Sequence, residues 1–174
     1  MRIFRLFLHA GAVGVLLASG CTEKPIPLDP IETGPGTVTQ ARKFLEGRWS
    51  LVSFNVYGPG GQAAPITGAG TLTYDDFGNL AIEIRVDEKG SLVLEKAGVP
   101  VDQGVVSSSG RTVLDMQRHA LTYVIKDKPV TGAESGPLAA HRPRYWHVDG
   151  DLLTLTTKDD AGNPLSVAAW KRER

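Results

Sequence analysis

Histidine, arginine and cysteine are the side chains here whose types suit chemistry, and their spacing limits what they can do. The four histidines stand apart: His9 lies in the first apolar run, His119 ends the turn-like Gln117-Arg118-His119, and His141 and His147 flank Arg142-Pro143-Arg144. An imidazole titrating at about 6.5 works as a general base only with a partner to orient it. His147, if it faces inward beside Tyr145, is the one candidate for that role or for bonding a polar ligand head. The spacings that mark nucleophiles and metal sites (Gly-x-Ser-x-Gly, His-Glu-x-x-His, paired cysteines) do not occur, so no catalytic residue, resident metal or cofactor is expected. His141-Arg142-Pro143-Arg144 is the one compact basic cluster, next to Tyr145 and Trp146. It could receive a carboxylate or phosphate through two-pronged arginine contacts, with Arg144 as the ligand-binding candidate, or it could be a solvated loop pairing with nearby acids.

Cys21 is the single cysteine and follows a basic start at Arg2 and Arg5, an apolar run over residues 6–17 and the small residues Ala18-Ser19-Gly20. That order is the pattern of a secretory signal. The apolar run is shorter than the roughly 20 residues a membrane helix needs. Leu17-Ala18-Ser19-Gly20-Cys21 resembles the lipobox of bacterial lipoproteins. The resemblance implies cleavage before Cys21 and lipidation of its thiol and amine. Two or more acyl chains anchor stably where one does not. With Thr22 rather than aspartate next, it also implies an envelope location, anchored in the outer membrane and facing the periplasm.

The chain has 19 basic and 19 acidic residues, and loss of Arg2 and Arg5 with the leader leaves the acids ahead by two. Scattered charge of this balance offers no clustered positive surface for nucleic acid. The chain divides into a signal peptide (1–20), a lipidated cysteine with a tether rich in Pro and Gly (21–43), and one domain (44–174). About 130 residues suffice for one core, and a lone cysteine allows no internal disulfide.

The elements that must position these side chains are strands. Leu80, Ile82, Ile84 and Val86 alternate with Ala81, Glu83, Arg85 and Asp87, the period of a half-buried strand. Similar alternation covers 48–56, 67–74, 112–116, 121–125, 145–148, 152–157 and 165–170. Residues 40–46 predict a short helix ended by Gly47, and 87–90 and 117–119 predict turns. Asp149-Gly150 predicts a two-residue hairpin of type I′, whose central residues both need positive φ. Residues 57–65 and 126–143, rich in Gly and Pro, read as rim loops. The Asp-Asp-x-Gly-Asn repeat at 75–79 and 159–163 fits a turn in which Asp and Asn bond their own backbone; a calcium loop would need further ligands that this spacing lacks. The whole predicts an all-β fold, an antiparallel up-and-down barrel of eight to ten strands with a short N-terminal helix, an open sandwich being the alternative.

Gly47-Arg48-Trp49 after a helical turn, the Asp-Asp-Phe-Gly-Asn hairpin, and a late Asp149-Gly150-Asp151-Leu152-Leu153-Thr154-Leu155 leading to Trp170-Lys171-Arg172 resemble, in that order, the lipocalin-like domain family. The resemblance spans about residues 44–172 and implies a calyx in which Trp49 closes the base beneath Arg172 or Lys171, leaving Gly47, Trp49, Trp170 and Arg172 structural. By strand parity the walls would be Leu72, Tyr74, Ile82, Ile84, Leu121 and Tyr123, enclosing a small hydrophobic or amphipathic ligand. The other reading is a structural or protein-interaction module of the envelope, with a filled barrel, no ligand and a partner of unspecified kind.

Overall fold

A short helix, α1 (Val38–Leu45), leads directly into an antiparallel meander of strands β1 (Gly47–Tyr57), β2 (Ala63–Pro65), β3 (Gly68–Tyr74), β4 (Asn79–Val86), β5 (Val105–Asp115), β6 (Ala120–Tyr123), β7 (Arg144–Asp149), β8 (Leu152–Lys158) and β9 (Pro164–Arg172), with a second helix, α2 (Glu88–Lys96), between β4 and β5. The computed structural model describes residues 36–124 and 136–174. Cys21, the signal segment, most of the tether, Ile125 and the first part of the 126–143 loop lie outside the described residues.

Each strand from β3 to β9 pairs with the next, and β9 returns to pair with β1, with Trp49 opposite Arg172 and Val56 opposite Ser166. Eight strands thus close a barrel, and β2 adds to the outer end of β1. Closure gives each of those eight a paired neighbour on both sides, the β6–β7 pairing being the shortest, Ala120 with Tyr145 and Leu121 with Arg144. The base carries α1 and the turns joining β3 to β4, β5 to β6 and β7 to β8. The mouth carries α2, the β1–β2 loop, residues 136–143 and the β8–β9 turn.

One irregularity decides which side chains face in. The β1–β9 register slips between Leu51 and Ser53, leaving Val52 as an extra, exposed residue. Such a bulge moves later side chains to the opposite face. Trp49 is buried before it, and Phe54 and Val56 after it. Without the bulge Phe54 and Val56 would face solvent.

Local hydrogen bonding explains the turns. In the repeated motif, Asp75 Oδ1 accepts from the Phe77 and Asn79 amides at 3.0 and 2.8 Å, and Asn79 Nδ2 donates to Asp75 Oδ2 at 2.7 Å. Asp159 accepts likewise from the Asn163 amide at 2.8 Å and from Asn163 Nδ2 at 3.0 Å. The Asn79 side chain, then its backbone, holds the Asp75 carboxyl below its usual range, and Asn163 does the same for Asp159.

Three local expectations are corrected. The hairpin after β7 pairs Asp149 with Leu152, so its two loop residues are Gly150 and Asp151, with positive φ at Gly150 alone. That is the pattern of a type II′ turn, with glycine first, rather than type I′. Residues 87–90 do not turn the chain back. Asp87 caps α2 by accepting from the Gly90 amide at 2.6 Å, and α2 carries the chain across the mouth. Within the loop read at 57–65, Ala63–Pro65 extends and pairs with β1.

Candidate functional site

The barrel interior has two layers. In the lower one Leu45, Leu72, Tyr74, Leu80, Leu121, Leu153 and Leu155 meet with no space for a water molecule between them. Above it lies a cavity of about 40 Å³ walled by Phe54, Ile82, Ile84, Val106, Ser108, Leu155, Thr157, Ser166, Ala168 and Trp170, with Arg144 and Leu138 closing it towards the mouth. The parity-chosen wall residues therefore separate. Ile82 and Ile84 line the cavity, whereas Leu72, Tyr74 and Leu121 face inward in the packed layer below.

Arg144, first residue of β7, sits on the face shared with Trp146 and Val148, so its side chain enters the barrel and is 3% exposed. Its Nη2 donates to the Leu138 carbonyl at 3.2 Å and its Nη1 to the Arg142 carbonyl at 3.4 Å. Its guanidinium carbon lies 4.6 Å from the centre of the Tyr123 ring. The ion pairs among the described residues are exposed ones at Arg48, Arg85 and Arg174, and none includes Arg144. Burial pulls Arg144 down from the ordinary guanidinium value, opposed by Tyr123, and arginine so placed still carries its charge. Burial raises the Tyr123 phenol, against the opposing pull of Arg144 and of Ser108, so it is protonated at neutral pH. Its hydroxyl is 2.6 Å from Ser108 Oγ, and Thr157 Oγ1 is 2.7 Å from Ser166 Oγ. The Trp170 indole N–H is buried with no acceptor among the described residues.

The basic cluster thus divides. Arg142 donates to the Gly136 carbonyl at 3.1 Å and the Lys158 carbonyl at 3.2 Å, tying residues 136–142 to β8. Neither guanidinium pairs with an acid among the described residues. His141 and His147 are exposed; His147 faces out of the barrel, away from the lumen. His119 stacks on Trp146 with ring centres 4.9 Å apart. Among the described residues no three His, Cys, Asp or Glu side chains converge as a metal site would require.

The base is closed by bonds to the end of α1. Trp49 Nε1 donates to the Leu45 carbonyl at 3.0 Å, Arg172 Nη2 donates to the Phe44 carbonyl at 2.6 Å, and Arg172 Nη1 donates to the Glu46 carbonyl. Those are the carbonyls a helix end leaves without intrahelical partners. Arg172 lies 4.0 Å over the Trp49 ring. Gly47 has φ +128°, and a Cβ there would stand 3.0 Å from Arg172 Nη1, so this position needs glycine. Trp170 is buried and serves as cavity wall as well as core.

Sequence reasoning missed Ser108, Thr157 and Ser166 as lumen residues, although each alternates with outward neighbours along its strand. Phe54 was hidden by the bulge, and Leu138 by lying in an irregular segment. No family model and no curated protein matches the chain.

Proposed function

We propose that this protein is a lipid-anchored envelope lipoprotein whose lipocalin-like barrel binds a small hydrophobic or amphipathic molecule in its upper lumen. The observation that supports it is how the lumen is closed. The floor consists of side chains from the strands and from α1 packed against one another, whereas the upper cavity is closed from the mouth side by Leu138, which belongs to an irregular segment. Loops on a rigid scaffold are where binding surfaces form, and a leucine held by backbone bonds can leave without unmaking the sheet. An open cleft of about 850 Å³ between the β1–β2 loop, α2, Pro137 and the β8–β9 turn gives this end of the barrel an approach.

A cavity of about 40 Å³ holds about one water, well below the roughly 300 Å³ of an ordinary ligand pocket. That volume favours the second reading, a filled barrel serving as a tethered interaction module. Native mass spectrometry of the full chain carrying Cys21→Ser, followed by titration with an apolar fluorescent probe, separates the two. A co-purified small molecule or saturable probe uptake is the expected result; the absence of both leaves the module. The anchor is tested by palmitate labelling, which Cys21→Ser should abolish.

A further inference from the structure

We infer that the upper lumen takes a small apolar monocarboxylate whose carboxylate replaces the Leu138 carbonyl on Arg144, an inference that rests on the lumen being a ligand site. A guanidinium has five N–H donors, and among the described residues two are used, on neutral carbonyls at 3.2 and 3.4 Å. A carboxylate would accept two parallel bonds at about 2.8 Å and supply the missing charge. The rest of the wall also offers hydrogens. The Ser108–Tyr123 and Thr157–Ser166 contacts each join two hydroxyls and use one hydrogen, so each pair retains a second one to donate. The indole N–H of Trp170, another cavity residue, has no acceptor among the described residues. One cation, spare donors and no carboxylate among the cavity residues are complementary to an acceptor with a single negative charge. A dianionic phosphate would leave one charge buried without a partner, which is strongly disfavoured.

Shape limits the tail. Displacing the half-buried Leu138 opens space on the order of 150 Å³, enough for a benzene-sized group. Below it the packed layer at Leu72, Leu80 and Leu153 gives a long acyl chain nowhere to go. The ligand is therefore of hexanoate or benzoate size.

The test titrates the full chain with hexanoate and its neutral counterpart hexanamide, read by calorimetry and tryptophan emission. Hexanoate should bind at least about tenfold more tightly than hexanamide and more tightly than dodecanoate. Leu138→Ala should strengthen hexanoate binding several-fold by removing the side chain that must leave. Arg144→Met should erase the preference for the acid while leaving hexanamide uptake in place. Equal affinity for acid and amide in the wild-type protein, or the preference surviving Arg144→Met, overturns the assignment to Arg144 but leaves the lumen as a ligand site. Failure of every probe on both wild type and Leu138→Ala removes the ligand reading itself. If Arg144→Met does not fold, Arg144→Lys, which keeps the charge and loses the two-pronged geometry, should hold hexanoate several-fold more weakly; unchanged affinity there also overturns the assignment.

Discussion

Asp75 and Asp159 sit in matching turns, each with its carboxylate bonded by the asparagine four residues on. Those bonds favour the ionised form, so both carboxyls titrate below the usual aspartate range. A group depressed in the folded state contributes stability above its unfolded pKa of about 3.9, and that contribution fades as pH falls through the lower folded value. Carbon-detected NMR titration should therefore place both midpoints below that of an unfolded aspartate. Asn79→Ala should raise the Asp75 midpoint towards the ordinary value and leave Asp159 where it was. An ordinary midpoint for Asp75 in the wild-type protein would refute the turn assignment. Arg144 presents the opposite electrostatic situation, a charge removed from water without a counter-charge among the described residues, and that contrast singles it out among the arginines.

The β1 strand carries a bulge on which the inward facing of Phe54 and Val56 depends. Deleting Val52 alone would remove the extra residue and leave Phe54 and Val56 inside, whereas deleting Val52 and Ser53 together would slip the second half of β1 by one residue and send both towards solvent. Burying such side chains contributes about 1.5–3 kcal/mol each, so the double deletion should cost roughly 3–6 kcal/mol, a large share of an ordinary domain's stability. Urea unfolding of the double deletion should show a collapsed midpoint, whereas Val52→Thr, which keeps the residue count, should unfold near wild type. An undiminished midpoint in the double deletion would mean that register is set elsewhere. The bulge marks the limit of what the sequence disclosed. Alternation placed the eight barrel strands because each has one apolar face, and Asp-Gly and Asp-Asp-x-Gly-Asn placed their hairpins. Helix α2 was illegible because its only buried residues are Gly90 and Leu94, too few for a visible helical period. The outward face of His147 and the burial of Arg144 were readable from Trp146 and Val148, which share Arg144's parity. The loop-like Arg-Pro-Arg context obscured that signal. Whether the lumen was empty or filled could not be read, because both cases need the same alternation.

For the molecule as a whole, the barrel is a run of neighbour-to-neighbour hairpins completed by one pairing between its first and last strands. Trp49 lies opposite Arg172, and the same arginine holds the end of α1. Removing residues 164–174 would deny β1 and β8 their shared neighbour at once and expose two rows of unpaired amides and carbonyls. The shortened chain should elute as oligomers and bind an amyloid-sensitive dye, whereas a well-behaved monomer with cooperative unfolding would contradict the closed topology. The same seam bears on how the protein is made. Every other hairpin can zip as its residues become available, but the ring stays gaping until the final strand arrives, and during that interval a cell must shield two adhesive borders that the finished protein never shows.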